Sequence, residues 1–250
     1  MIFYFSGTGN SEWVAREIAK STDDRIHFIT DESTYHLDLA TDESLGFVFP
    51  IYAWAAPERV LRFLQGLKTN HTPPYLYVIC TCGDDTGKAP QMLFRIFEKK
   101  GWTCSLFHSI TMPNTYVSLP AFDVDAPAVI QKKCEQAEKH LADIVQLLEH
   151  KKQSYVWNEG GMPWLKTKVL RFFFSKLLMS ARYFKANGAC ISCGICEKVC
   201  PLENIKLKNG RPIWGNNCSM CLSCYHHCPK HAIHYGIFTK GKGQYTFEEK

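Results

Sequence analysis

A chain of 250 residues with an ordinary apolar content is long enough for two domains. Its net charge of +5 hides an asymmetry: residues 1–150 carry 13 Lys/Arg against 19 Asp/Glu, and residues 151–250 carry 16 against 5. The basic residues are dispersed and no apolar run has the length of a membrane span, which argues against nucleic-acid binding and a membrane-spanning role.

The chain opens with a short apolar strand, Ile2 to Phe5, then Ser6-Gly7-Thr8-Gly9-Asn10-Ser11, then a helix over Glu12 to Lys20. Glycines let the backbone turn tightly, and hydroxyls with free N–H groups at a helix start suit a phosphate. No Gly-Lys-Ser/Thr follows and the spacing is not G-x-G-x-x-G, so a ligand with one phosphate fits best. Strands follow at Arg25 to Ile29, Leu45 to Phe49, Tyr75 to Cys80 and, as a last one, Trp102 to His108. Helices are expected at Glu58 to Gly66, Gln91 to Lys100 and Pro127 to Lys152. This alternation predicts a parallel sheet with helices on both faces, which takes ligands beyond the C-terminal strand ends. Two further loops belong there: Pro50 to Pro57, with Tyr52 and Trp54 as ring contacts, and Thr81-Cys82-Gly83-Asp84-Asp85-Thr86-Gly87. Met112 to Tyr116 is either a plain loop or another edge of that site. Cys80, Cys104 and Cys134 read as small buried side chains.

Residues 151–185 read as a linker and a basic amphipathic helix. From Trp164 to Lys185, Lys168, Arg171, Ser175 and Arg182 share one side of a helical wheel, and Leu165, Val169, Phe172, Phe173, Leu177, Tyr183 and Phe184 the other. An interdomain helix burying its apolar side is preferred over contact with a membrane surface through 164–185.

Eight of the twelve cysteines then fall into two copies of one spacing: Cys190, Cys193, Cys196, Cys200-Pro201 and Cys218, Cys221, Cys224, Cys228-Pro229. The run C-x2-C-x2-C-x3-C-P is that of bacterial iron–sulfur ligation, where the fourth ligand of each cluster comes from the other run. The expected sets are Cys190, Cys193, Cys196 with Cys228, and Cys218, Cys221, Cys224 with Cys200. Structural zinc and disulfides are the rivals. The opening Met1-Ile2-Phe3-Tyr4-Phe5 shows no secretory pattern, so a cytoplasmic chain with reduced thiols is expected. Between the runs, Ile205 to Ile213 alternates and turns at Asn209-Gly210, a hairpin signal. His226 and His227 beside Cys228 are read as exposed, or as tuning that cluster.

Residues 186–238 resemble the two-cluster bacterial ferredoxins, an α+β domain. Residues 1–150 resemble flavodoxin, with Ser-Gly-Thr-Gly-Asn-Ser as its FMN phosphate loop and Cys82-Gly83-Asp84 as a ring-binding loop. The resemblance implies a doubly wound α/β sheet of order 2-1-3-4-5, FMN and two [4Fe–4S] clusters. FMN would contact Ser6, Thr8, Gly9, Asn10, Ser11, Tyr52, Trp54, Thr81, Cys82, Gly83 and Asp84. Residues 239–250 form a tail. The whole chain resembles the flavodoxin–ferredoxin fusions of anaerobic bacteria and archaea. The third loop lacks the aromatic that many flavodoxins stack on the outer flavin face, leaving that face to Tyr116, to the iron–sulfur domain or to a substrate. Asp84 and Asp85 either stand near the flavin, where they would lower its potential, or are equally well solvated loop residues. The expected role is electron transfer between FMN and the clusters, with a redox protein as donor or acceptor. The alternatives are a flavin-free redox-responsive docking module and a flavin reductase with its own small substrate. No acid–base constellation stands out, so no catalytic residue is named and the oligomeric state stays open.

Overall fold

A computed structural model describes residues 1–29, 35–171 and 180–247. Its N-terminal two thirds alternate strand and helix: β1 (Ile2–Tyr4), α1 (Asn10–Thr22), β2 (Ile26–Phe28), β3 (Tyr35–Leu37), β4 (Leu45–Pro50), α2 (Glu58–Gly66), β5 (Leu67–Thr69), β6 (Leu76–Cys82), α3 (Ala89–Glu98), β7 (Cys104–Thr111), α4 (Pro127–Glu149) and β8 (Ser154–Val156). The main sheet has six strands in the order β2-β1-β4-β6-β7-β8, all parallel. Its first five positions follow the expected 2-1-3-4-5 path.

The sheet's central strands are apolar along their whole length because both faces are covered. All seven residues of β6 are buried, as are the first seven of the eight in β7. On one face α2 and α3 close over Phe3, Phe47, Val78 and Phe107 through Val60, Phe63, Leu64, Leu93 and Phe97. On the other, α1 and α4 cover Ile2, Val48, Ile79 and Leu106 through Val14, Ile18, Leu141, Ile144 and Leu148. Prolines mark the helix starts, with Pro57 just before α2 and prolines in the first turns of α3 and α4. Gly46 is required by packing: a Cβ there would lie 2.2 Å from the Tyr77 ring.

Three features depart from expectation. Where no strand was expected, β3 and β5 pair in parallel as a separate two-stranded sheet. β7 is not the last strand; β8, expected as linker, adds to the sheet edge beside it. The segment expected as one amphipathic helix begins with a short, wide helical stretch, Leu165–Leu170, and residues 172–179, including Phe172, Phe173, Ser175 and Leu177, lie outside the described residues. Of the expected apolar side, Leu165 is 37 % exposed, whereas Phe184 is buried.

The C-terminal third is a small α+β unit. β9 (Phe184–Ala186) pairs with β12 (Ile233–Tyr235), and β10 (Ile205–Lys208) pairs with β11 (Arg211–Trp214). Asn209 and Gly210 both have positive φ, 51° and 72°, as a two-residue hairpin turn demands. Helical turns Ile195–Lys198 and Ser223–His226 occupy matching places in the two halves. Its core joins Phe184, Ile205, Met220, Leu222, Tyr225, Ile233 and Tyr235 with Val117, a residue from the loop after β7.

Candidate functional site

Beyond the C-terminal ends of β1, β4, β6 and β7 lies a cavity with about 800 Å³ of empty space, part of it open to solvent. The β1–α1 loop lines it with Ser6, Gly7, Thr8, Asn10 and Ser11. Gly9 supplies the turn into α1 at φ 97°, a conformation that disfavours a side chain. The Ser11 hydroxyl lies 2.7 Å from that of Thr81, tying the loop to the end of β6. The Ser6 hydroxyl accepts from the Gly9 N–H at 3.2 Å. Tyr52, Thr81, Cys82 and Gly83 also line the cavity. Residues 112–116 form another wall, held by a short network: Asn114 N–H donates to Asp125, which pairs with Lys133 at 2.8 Å, and Lys133 also donates to the Gly83 carbonyl. Burial opposes ionisation of Asp125, but the hydrogen bonds from Lys133 and Asn114, with the Lys133 charge, hold its carboxyl below the usual range.

Three of the expected ring and phosphate contacts stand elsewhere. Trp54 does not line the cavity. Ala53 and Trp54 both have positive φ, 45° and 59°, in a tight turn closed by Tyr52 and Ala55. That turn sends the indole toward Gly87, with the Lys166 ammonium 5.8 Å from its ring. Asp84 is exposed, and Asp85 is bound to Lys166 at 2.6 Å, so neither carboxylate lines the cavity. Gly9 is covered by Phe247 rather than facing the cavity. Burial pushes the Cys82 thiol up to about 12, with Asp85 and Asp84 adding to the shift, so it stays protonated.

The eight motif cysteines ring two smaller cavities. One is lined by Cys190, Cys193, Cys196 and Cys228; the other by Cys200, Cys218, Cys221 and Cys224. Each therefore takes three thiols from one run and the proline-preceding thiol of the other. Among the described residues no three His, Cys, Asp or Glu converge on a single-ion site. Thiols spaced around a void suit a polynuclear cluster better than one zinc ion. Backbone N–H groups already point at sulfur: Asn204 toward Cys200, Met220 toward Cys218 and Ala232 toward Cys228. Burial pushes the Cys218 thiol up to about 12 and the Cys224 thiol well above its usual value, so a cation's charge beside them favours the thiolate forms.

The family described as 4Fe-4S dicluster domain matches residues 189–233. The N-terminal part has a flavodoxin-like fold, and residues 189–233 are similar to dicluster iron–sulfur domains. Among curated proteins none matches the sequence. Solved structures with remote likeness include a flavodoxin from Streptococcus pneumoniae (16% identity, TM-score 0.35, covering 58% of this chain and 96% of its own). Others are an azoreductase from Bacillus anthracis (8%, 0.39, 60% and 98%) and the Trp repressor binding protein from Bacillus subtilis (14%, 0.37, 59% and 97%). Likenesses this remote carry no functional weight; the strand order and the cysteine runs carry the assignment.

The two domains meet at the larger cavity. Met220, Cys221 and Leu222 of the ferredoxin-type domain form one of its walls, together with Tyr116. A Cβ on Gly7 would lie 2.7 Å from the Cys221 carbonyl oxygen, so only glycine permits this approach. Tyr52 lines the same cavity; burial raises its hydroxyl pKa far above the usual value, and the thiols of Cys221 and Cys218 are close enough to add to it. Arg59 on α2 donates to Asn217 at 2.6 Å. His226 is buried, not exposed, with one ring nitrogen on the Thr115 carbonyl at 2.8 Å and the other accepting from the Tyr245 N–H. Residues 243–247 then fold back over the phosphate-type loop. Tyr245 donates to Asn10 at 3.1 Å, the Phe247 N–H to the Thr8 carbonyl at 2.7 Å, and the Phe247 ring stacks on Trp13. No periodicity or motif in 239–250 announces this contact; the two aromatics in a polar stretch were its one signal.

Proposed function

We propose that this chain is an electron-transfer protein that holds FMN in the interdomain cavity and a [4Fe–4S] cluster in each cysteine cage. Bound FMN would supply a centre taking one or two electrons, and the clusters centres taking one each. Supporting the flavin are three hydroxyl side chains at a helix start with no lysine among them, and a slot between strand-end loops. Ser6, Thr8 and Ser11 with the first N–H groups of α1 would hold the phosphate. The Asn10 amide is already engaged, donating to the Pro113 carbonyl and accepting from Tyr245, so its role is to brace the loop.

One observation carries the reading: Cys221, a wall residue of the second cage, also walls the larger cavity. Cofactors in those two sites would be neighbours, which favours exchange within the chain over independent shuttling. The wall made by Tyr116 and Met220 to Leu222 covers the side that a small substrate would need, which favours a carrier over a reductase. Anaerobic metabolism is the setting that such oxygen-sensitive clusters suit. Among the described residues no helix is long and apolar enough to cross a membrane.

Anaerobically purified protein should contain about one FMN, and roughly eight irons with as many acid-labile sulfides. Zinc without sulfide would overturn the cluster assignment, and full iron without flavin would leave the docking-module alternative.

A further inference from the structure

The two cysteine cages differ in what lies outside them. The Cys200 cage backs onto the flavodoxin-like domain through Cys221 and Leu202. The Cys190 cage opens outward: among its lining residues Ser192, Cys193, Pro229 and Lys230 are exposed, and Ile191 is 57 % exposed. We propose that this outward face is the docking surface for an acidic one-electron carrier protein. The proposal rests on the electron-transfer reading above and names the partner that reading requires.

The hairpin β10–β11 sets the character of the face. Leu207 and Pro212 pair across the hairpin and line the cage. Side chains alternate along a strand, so Lys206, Lys208, Arg211 and Ile213 stand on the opposite side, and all four are exposed. Lys198 and Lys230 are also exposed. From Lys185 to Gly236 there are six Lys/Arg and two Asp/Glu, Glu197 and Glu203. Glu197 is engaged by the Leu207 N–H at 3.1 Å and by Lys206 at 3.5 Å. Among the described residues Lys198, Lys208, Arg211 and Lys230 have no carboxylate partner.

The Ser192 hydroxyl donates to the Gly210 carbonyl, which brings the hairpin turn, flanked by Lys208 and Arg211, to the cage mouth beside exposed Ile191; these cations next to a small apolar anchor have the make-up of a transient interface. Its potential steers an acidic protein in and repels a basic one. In the exchange, the reduced chain loses one electron and one carrier molecule gains it, with no proton or bond change. The chain's electrons come from a low-potential one-electron reductant.

The test uses the full chain with its cofactors, reduced by stoichiometric dithionite without oxygen and mixed with one of two probes. Native cytochrome c is basic; succinylated cytochrome c presents the same haem on an acidic surface. At low ionic strength the succinylated form should be reduced at least about tenfold faster, and the advantage should fade as salt screens it. The triple variant Lys198→Glu, Lys208→Glu, Arg211→Glu should remove the advantage with iron, sulfide and flavin contents unchanged. The control Lys132→Glu, Lys139→Glu, on exposed positions of α4, should keep it. Faster reduction of native cytochrome c, rates indifferent to salt, or a triple variant that keeps the advantage would overturn the docking surface. So would a stable dimer by light scattering that the triple variant dissolves, since the occupant would then be a second copy's acidic domain. A preparation lacking iron would instead fail before mixing, which separates loss of the electron-transfer reading from loss of this one.

Discussion

The C-terminal fold-back gives the sharpest handle on the flavin site. Tyr245→Phe with Phe247→Ala removes the 3.1 Å hydrogen bond to Asn10 and the ring stacked on Trp13 at 5.0 Å. Each contact contributes about 1 kcal/mol. Asn10 belongs to the phosphate-type loop and Trp13 to the helix that follows it, so the loss falls on the ordering of that loop rather than on ring contacts. About 2 kcal/mol corresponds to roughly 30-fold in affinity. FMN binding to flavin-stripped protein, followed by quenching of flavin fluorescence, should weaken by up to that factor. Riboflavin has no phosphate to place, and its affinity should change by less than about threefold on the same hydrogen-bond scale. Iron content serves as the folding control for the ferredoxin-type domain. Equal losses for FMN and riboflavin, or an FMN affinity that does not move, would refute the claim that the tail positions the phosphate loop.

Other outcomes follow from single residues. Cys193→Ser should leave roughly four irons and keep the cluster next to the flavin cavity, whereas Cys221→Ser should remove that neighbouring one; iron analysis with electron paramagnetic resonance distinguishes the two. Gly7→Ala drives a methyl into Cys221 and should cost the domain contact about 1–3 kcal/mol, read as faster hydrogen exchange across 216–224. His108 is buried between His140 and Ser154, and burial, with the neighbouring His140, lowers its pKa to about 4. Its unfolded form takes up a proton from about pH 6.5 downward while the folded form does not, so stability should fall as pH drops from about 6.5 to about 4, by up to about 3 kcal/mol. A His108→Gln variant that shows the same acid slope in denaturant titrations would count against this.

The sheet was legible because its strands are continuous apolar runs and its helices carry one apolar side each. Helix α2 was placed at Glu58–Gly66 from its pattern, and the structure has it there. Strand β8 was not legible: three residues, Ser154-Tyr155-Val156, carry no period, and the strand exists because β7 offers an unpaired edge. Trp54 was placed near the ring by its loop position, but a two-residue left-handed turn points it the other way, and no composition rule foretells that turn. His226 reads as a surface histidine until Thr115 and Tyr245 are brought to its two nitrogens.

What the amino-acid order determined alone is local: cysteines three and four positions apart, a glycine- and hydroxyl-rich loop between strand and helix, and the repeat of about 28 residues that makes two similar halves. Their spacing is covalent, so it survives any packing. The meeting of Gly7 with Cys221, of Asn10 with Tyr245 and of Arg59 with Asn217 was decided by the tertiary structure. These contacts join residues more than 150 positions apart, and only two finished surfaces, each shaped by its own core, select them.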